Sequence, residues 1–144
     1  MTTISGFLRK WQKIDLESLT ADAMEQTERP LVELNKQQLE DGITAKGVRI
    51  SPDYAASTVA IKRAEGREYR FVTLEDTGSF KNKMYLSIIG KNYDFDSSDS
   101  KTSDLTSKYS DDIFGLTAEN KRRAWNDIIS PLVVKSIKNI TGAI

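Results

Sequence analysis

A four-residue segment of the chain has the letters of a known catalytic motif. Asp76-Thr77-Gly78-Ser79 matches the segment that carries the catalytic carboxylate of aspartic proteases, in which two Asp side chains share one proton. Ile88-Ile89-Gly90 resembles the apolar pair and glycine that support the active site in retroviral members. Those enzymes separate the two motifs by dozens of residues of β-barrel, whereas nine residues lie between Gly78 and Ile88 here. The spacing therefore argues against a protease, and we expect no catalytic residue.

A structural interpretation accounts for the same segment. The carboxylate of Asp76 can accept hydrogen bonds from the backbone amides of Gly78 and Ser79, and so cap a single helical turn. Gly78 permits a backbone conformation that is closed to other residues. We therefore predict that Asp76, Thr77 and Gly78 form a structural turn.

An acidic cluster follows in the sequence. Asp94, Asp96 and Asp99 have the spacing D-x-D-x-x-D and could present oxygen ligands to calcium. The cluster lacks the central glycine and the terminal glutamate of the EF-hand loop. A solvated acidic turn is the better interpretation, so we predict no metal site.

Positive charge is concentrated in the middle of the chain. If DNA passes near this protein, the residues expected to face it are Lys46, Arg49, Lys62 and Arg63. Acidic residues between positions 65 and 76 are interspersed with the basic ones, which favours a mixed solvated surface. The whole chain has 21 basic and 21 acidic residues and so lacks the positive field that nonspecific DNA binding requires.

The chain contains no cysteine and no histidine. This composition excludes disulfides, thiolate nucleophiles, Ser-His-Asp triads and the usual structural zinc sites. No apolar run is long enough to span a bilayer, and the first residues lack a secretory pattern. We therefore expect no cofactor and no membrane contact, in a protein that stays in the cytoplasm where it is made.

Helical periodicity dominates the first half of the chain. Residues 1–14 are expected to form a helical extension, whose apolar side packs either on its own domain or on a neighbouring subunit. Asp15 can cap a longer helix that Pro30 kinks or splits and that ends near Asp41-Gly42. A further helix is predicted over residues 54–63, with Gly66 closing it.

The second half begins with a strand-like alternation over residues 69–74. Two more strands, at 82–89 and 91–95, are predicted to form a hairpin around Gly90-Lys91-Asn92. Residues 96–112 are rich in Ser and Asp and predict a flexible loop. A long final helix is expected to start at Thr117 and to be bent by Pro131.

These elements predict a single α+β domain over residues 1–144. It has N-terminal helices, a small antiparallel β-sheet with a hairpin, and a long C-terminal helix packed on the sheet.

A dispersed pattern runs from Leu39 to about Tyr85. Its residues are Asp41-Gly42, Gly47, Ile50-Ser51-Pro52, Tyr54-Ala55, Thr58, Lys62, Leu74-Glu75-Asp76-Thr77-Gly78-Ser79-Phe80 and Met84. In this order they resemble the tail-completion or head-tail joining proteins of tailed bacteriophages, a family of virion-morphogenesis proteins. Ser79-Phe80 departs from the commoner form of the family, and the 96–112 segment has no counterpart in the pattern.

The resemblance implies a structural protein of the virion, located at the neck or the head-proximal end of the tail after assembly in the host cytoplasm. Its partners would be other neck and tail proteins and further copies of itself in a ring, with DNA contact limited to the ring lumen. The residues expected to contact neighbouring subunits are Phe7, Leu8, Trp11 and Tyr109. An intracellular adaptor that binds one protein partner is the alternative, and an enzyme that uses Asp76 is a third.

Overall fold

The computed structural model describes residues 3–90 and 92–142, and of Phe7 it describes the backbone alone. The fold is α+β, as predicted. Its elements are α1 (Ile4–Gln12), α2 (Leu16–Gln26), α3 (Glu28–Glu40), α4 (Ala56–Ala64), α5 (Ser79–Asn82), β1 (Met84–Ile89), β2 (Asn92–Ser97), α6 (Thr102–Tyr109), α7 (Ala118–Arg123) and α8 (Ser130–Thr141). A 3₁₀ turn at Asp111–Ile113 precedes α7, and a π-helical segment at Ala124–Ile129 joins α7 to α8.

Local capping sets the starts of the N-terminal helices. The Asp15 carboxylate accepts hydrogen bonds from the amides of Glu17 and Ser18, which confirms the predicted cap of α2. Pro30 cannot donate to the carbonyl of Gln26, so α2 ends at that residue and α3 starts two residues later. The predicted split is confirmed.

The sheet is the predicted hairpin of β1 and β2. The two strands are antiparallel, and Ile89 pairs with Asn92 at the end of the predicted turn, whose Lys91 lies outside the described residues. The positive φ of 60° at Gly90 suits such a turn. The first strand predicted, at residues 69–74, is wrong because no neighbouring strand pairs with this segment in the described part of the chain. Its Thr73 amide instead donates to the Tyr54 hydroxyl.

The predicted loop at 96–112 is mostly regular structure. It begins with the end of β2 and then contains α6 and the 3₁₀ turn. Polar side chains make the connection: Asp99 accepts from the Lys101 amide, and the Thr102 hydroxyl donates to the Ser97 carbonyl. Leu105 packs against the core, and Tyr109 is buried in it. The Ser- and Asp-rich composition suggested a solvated loop. The prediction failed because these residues instead form the hydrogen bonds that cap turns and helix ends.

The C-terminal helical segment starts as predicted at Thr117, whose hydroxyl accepts from the Asn120 amide. Pro131 has no amide hydrogen with which to close an α-helical turn. The helical turn before it is wider than an α-helical turn, since the Ser130 amide donates to the Trp125 carbonyl, five residues earlier. The segment packs against α2 and on the sheet, where Ala124 and Ile129 join the core that contains Phe95.

The core is centred on α3, which lies against β1. Its largest fully buried side chains include Leu31, Leu39 and Ile113. Two buried amides of α3 bind the chain before α7 and the first turn of α7: Asn35 contacts Ile113 and Gly115, and Gln38 contacts Gly115, Thr117 and Asn120. Across residues 3–90 and 92–142, each helix is too short or too polar to cross a bilayer.

Candidate functional site

A cavity of about 390 Å³ lies between α4, the Asp-Thr-Gly turn and α6. We call it the turn cavity. Its lining includes residues that the sequence singled out for different reasons: Lys62, Asp76, Thr77, Gly78 and Tyr109. A volume of this size is at the lower end of what small-molecule sites occupy. The fold therefore assembles these separate sequence features around one space.

The Asp-Thr-Gly segment is a turn that leads into α5. Gly78 occupies the position before the helix with a φ of +84°, in the left-handed region that glycine adopts without strain. The predicted cap by Asp76 is wrong, because the oxygen that accepts from the Ser79 amide is Thr77 Oγ1, at 3.3 Å. The predicted turn is present, and Thr77 rather than Asp76 holds it.

The Asp76 carboxylate faces two cations instead. Lys101 Nζ lies 2.9 Å from Asp76 Oδ2, and Arg67 lies 3.7 Å from Asp76 Oδ1. The hydrogen bond and the charge of Lys101 lower the pKa of Asp76 from its usual value. Asp76 is therefore ionised at neutral pH.

Asp99 is the second carboxylate next to this turn. It accepts a 2.5 Å hydrogen bond from the Ser79 hydroxyl, and Lys83 lies 3.6 Å away. The Ser79 hydroxyl and the Lys101 amide lower the pKa of Asp99 as well. A protease dyad needs one carboxyl with a raised pKa to hold the shared proton. Neither Asp76 nor Asp99 meets that requirement.

Lys62 does not face outwards, and its predicted place among the DNA-facing residues is wrong. Its side chain is buried, with Nζ donating to the Glu75 carbonyl and lying 4.9 Å from the centre of the Tyr54 ring. The helical period of α4 turns Lys62 inwards and leaves Arg63 exposed, stacked over Tyr69.

Lys46 and Arg49 are exposed, in the loop between α3 and α4. Lys46 pairs with Asp112 at 3.1 Å, whereas Arg49 donates to the Asp41 carbonyl and stacks over Phe71. The acidic cluster is also divided, because Asp94 and Asp96 lie on β2 while Asp99 is turned towards Ser79. The part of the chain that the structure describes has no group of three acidic residues placed to hold a metal ion.

Comparison of the chain with protein-family models, with curated proteins and with solved structures gives no match. The resemblance to phage tail-completion proteins therefore rests on the residues quoted for it.

The residues predicted to contact other subunits fall in two places. Leu8 and Trp11 are exposed on α1, with 53% and 44% of their surfaces accessible. The Phe7 side chain lies outside the described residues. Tyr109 is buried with 6% exposure, so the prediction that it contacts a neighbour is wrong. The helical spacing of α6 places Tyr109 on the same side as Leu105, where it packs in the core.

The structure has a second apolar surface, which was not predicted from the sequence. Leu16, Tyr93 and Trp125 are between 41% and 58% exposed and border two adjoining hollows of about 300 and 210 Å³. The two hollows share Thr20, Met24 and Tyr93, so they form one groove between α2, the hairpin and the π-helical segment. We call it the hairpin groove. The available signal was Tyr93, which lies two residues from buried Phe95 and so extends the same strand face outwards.

Proposed function

We propose that this protein is a structural subunit of a tailed-phage virion that acts in tail completion or head-tail joining, as one member of a ring. The sequence pattern from Leu39 to Tyr85 supports the family, and the presence of two unlike apolar surfaces on one chain supports the ring. The second observation carries the proposal.

The first surface is the outer side of α1. Ile4, Leu8 and Trp11 recur at helical spacing and are 81%, 53% and 44% exposed. Arg9, Lys10 and Lys13 make residues 1–14 purely basic. This helix is therefore an apolar stripe flanked by positive charge, a form suited to a groove on another protein.

The second surface is the hairpin groove. Its walls carry the apolar side chains Leu16, Met24, Tyr93 and Trp125. The charged residues that line the groove are one acidic and one basic, Glu17 and Lys121. The apolar floor of the hairpin groove complements the apolar stripe of α1, because both surfaces remove hydrocarbon side chains from water when they meet.

A contact between α1 of one copy and the hairpin groove of the next joins two different patches. Such a heterologous contact repeats from copy to copy, and it closes into a ring when the rotation between copies allows. Two identical patches would instead give a two-fold dimer. The pairing of unlike surfaces is thus what a ring subunit at a phage neck requires.

Light scattering over a concentration series, followed by negative-stain imaging, tests this assembly. The native chain should form rings, or a monomer that assembles at high concentration. Leu8→Glu should remain monomeric because it places a charged carboxylate against the apolar floor of the groove. Val48→Glu is the matched control, since Val48 is 57% exposed on a loop outside both surfaces and should assemble like the native chain.

A chain that is monomeric at every concentration would contradict the ring and favour the adaptor alternative, which predicts a 1:1 complex with a partner. Assembly that Leu8→Glu leaves intact would contradict the α1 contact. The virion assignment has its own test: mass spectrometry of tailed-phage particles purified from cells that carry the gene for this chain should detect it.

A further inference from the structure

We propose that a second cavity in this protein binds a small oxyanion, of phosphate or carboxylate type. This cavity has a volume of about 380 Å³ and lies between α4, residues 67–75 and α5. Its wall includes Lys62, Arg67, Thr73 and Lys81, and we call it the lysine cavity. It adjoins the turn cavity, with which it shares Lys62, Arg67 and Glu75. The inference is independent of the proposed virion function.

Unsatisfied hydrogen-bond donors are concentrated in this wall. Within residues 3–90 and 92–142, the buried side-chain atoms without a hydrogen-bond partner are Arg67 Nε, Thr73 Oγ1 and Lys81 Nζ. All three residues line the lysine cavity. Each of the three groups can donate, and the two charged ones cannot accept. The site therefore has an excess of donors. Because a buried polar group without a partner costs free energy, an acceptor that binds here would stabilise the protein.

The cavity also contains buried positive charge. Lys62 and Lys81 are 5% and 4% exposed. The partners of Lys62 Nζ are the Glu75 carbonyl and the Tyr54 ring, which are both neutral. No carboxylate within residues 3–90 and 92–142 lies within 4.0 Å of Lys62 Nζ. A buried ammonium without a counter-ion is unfavourable, and a bound anion would relieve that cost.

The acidic residues of the wall do not supply this anion. Glu68 is bound to Arg70 by two hydrogen bonds of 2.8 and 3.0 Å, which lower the pKa of Glu68 to about 2. Glu75 Oε2 lies 2.8 Å from Lys81 Nζ, at an angle outside hydrogen-bond geometry, and Glu40 is exposed. Arg67 pairs with Glu65 and Asp76 and Lys81 pairs with Glu75, whereas Lys62 pairs with none of the described carboxylates within 4.0 Å.

Water is the competing occupant, because a polar cavity of this size can hold several molecules. Water would satisfy the orphaned donors but would bring no negative charge nearer to Lys62 than Asp76, whose carboxylate interacts with Lys62 from beyond ion-pair distance. An oxyanion satisfies both requirements through charge-assisted hydrogen bonds. The two occupants are distinguished by whether an anion stabilises the protein more than salt does.

Thermal unfolding of the full chain in sodium phosphate, sodium acetate and sodium chloride at equal ionic strength provides the test. Phosphate or acetate should raise Tm above its value in chloride, and calorimetric titration should give a saturable isotherm. The acetate arm separates planar carboxylates from tetrahedral phosphate. Thr73→Val, which removes one hydroxyl at nearly constant volume, should weaken the binding constant by about tenfold.

Lys81→Met should abolish the effect, whereas Lys135→Met, at an exposed lysine of α8, should leave it unchanged. If Lys81→Met does not fold, the isosteric Thr73→Val variant still decides the question. Equal Tm values in all three salts would show that water alone occupies the cavity and would overturn the proposal. An anion effect that both cavity variants retain would place binding elsewhere and would overturn it equally.

Discussion

The hydroxyl of Ser79 donates a 2.5 Å hydrogen bond to the carboxylate of Asp99, and so joins the start of α5 to the segment after β2. Asp99 also accepts from the amide of Lys101, at 2.9 Å. The ammonium of Lys101 in turn reaches Asp76 at 2.9 Å. Two carboxylates therefore connect the Asp-Thr-Gly turn to residues 99–101. Asp99 accepts from Ser79 of the turn, and Asp76 of the turn accepts from Lys101.

This arrangement predicts a pH dependence of stability. The pKa of Asp99 is lowered from 3.8, first by Ser79 and then by the Lys101 amide, so the folded state favours the ionised carboxylate more than the unfolded chain does. Its contribution is present above pH 3.8 and is lost as the pH falls through the lower pKa of the folded state. Asp76 adds to the same trend, because Lys101 lowers its pKa too.

Asp99→Asn should therefore be less stable than the native chain at pH 7, and the difference should shrink below pH 3.8. Urea unfolding between neutral and acid pH measures both effects. Asp104→Asn, which changes an exposed carboxylate on α6, is the control and should follow the native profile. A constant gap between Asp99→Asn and the native chain at every pH would contradict the linkage.

Features that depend on neighbouring residues were predictable from the sequence. The caps at Asp15 and Thr117, the break caused by Pro30 and the hairpin turn after Ile89 all follow from groups within four residues of each other. Local rules suffice there because the hydrogen bonds themselves are local.

Features that depend on distant contacts were not predictable. Residues 69–74 alternate like a strand, but a strand also needs a neighbour to pair with, and the chain provides none within residues 3–90 and 92–142. The burial of Lys62 depends on a carbonyl 13 residues away, and the hairpin groove joins Leu16 to Trp125 across the fold. The lysine cavity was missed for the same reason, since its wall extends from Glu40 to Lys81.

Two glycines with the same backbone conformation offer a matched test of packing. Gly42 and Gly47 have φ values of +73° and +78°. A Cβ at Gly42 would lie 2.5 Å from Cδ2 of Phe71 and 3.0 Å from the Val72 carbonyl oxygen, whereas a Cβ at Gly47 would meet nothing within 4 Å. Gly47→Ala should cost about 1 kcal/mol, for the left-handed conformation alone.

Gly42→Ala should cost about 3 kcal/mol, because the steric clash adds to the same conformational term. Chemical denaturation of both variants gives the comparison directly. Equal losses would show that Phe71 moves aside without cost and that the close approach does not stabilise this corner of the fold.

The buried amide of Asn35 is expected to be the most important polar contact in the core. It is fully buried in α3; its Nδ2 donates to the Ile113 carbonyl at 3.1 Å and its Oδ1 accepts from the Gly115 amide at 3.0 Å. Asn35→Leu keeps the number and branching of the side-chain heavy atoms but leaves both backbone groups without partners. The free energy of unfolding should fall by about 3 kcal/mol, since each buried group left unpaired costs about 1–3 kcal/mol.

Gln37→Leu, at an exposed position of the same helix, is the control and should change the free energy of unfolding by less than about 0.5 kcal/mol. Hydrogen exchange adds a second measurement: the Gly115 amide should lose protection in Asn35→Leu more than the amides of β1 do, because the fault is local to the turn before α7. A uniform loss across the chain would mean instead that this turn unfolds only with the whole domain. The Asn35 contacts would then stabilise the entire core rather than one connection within it.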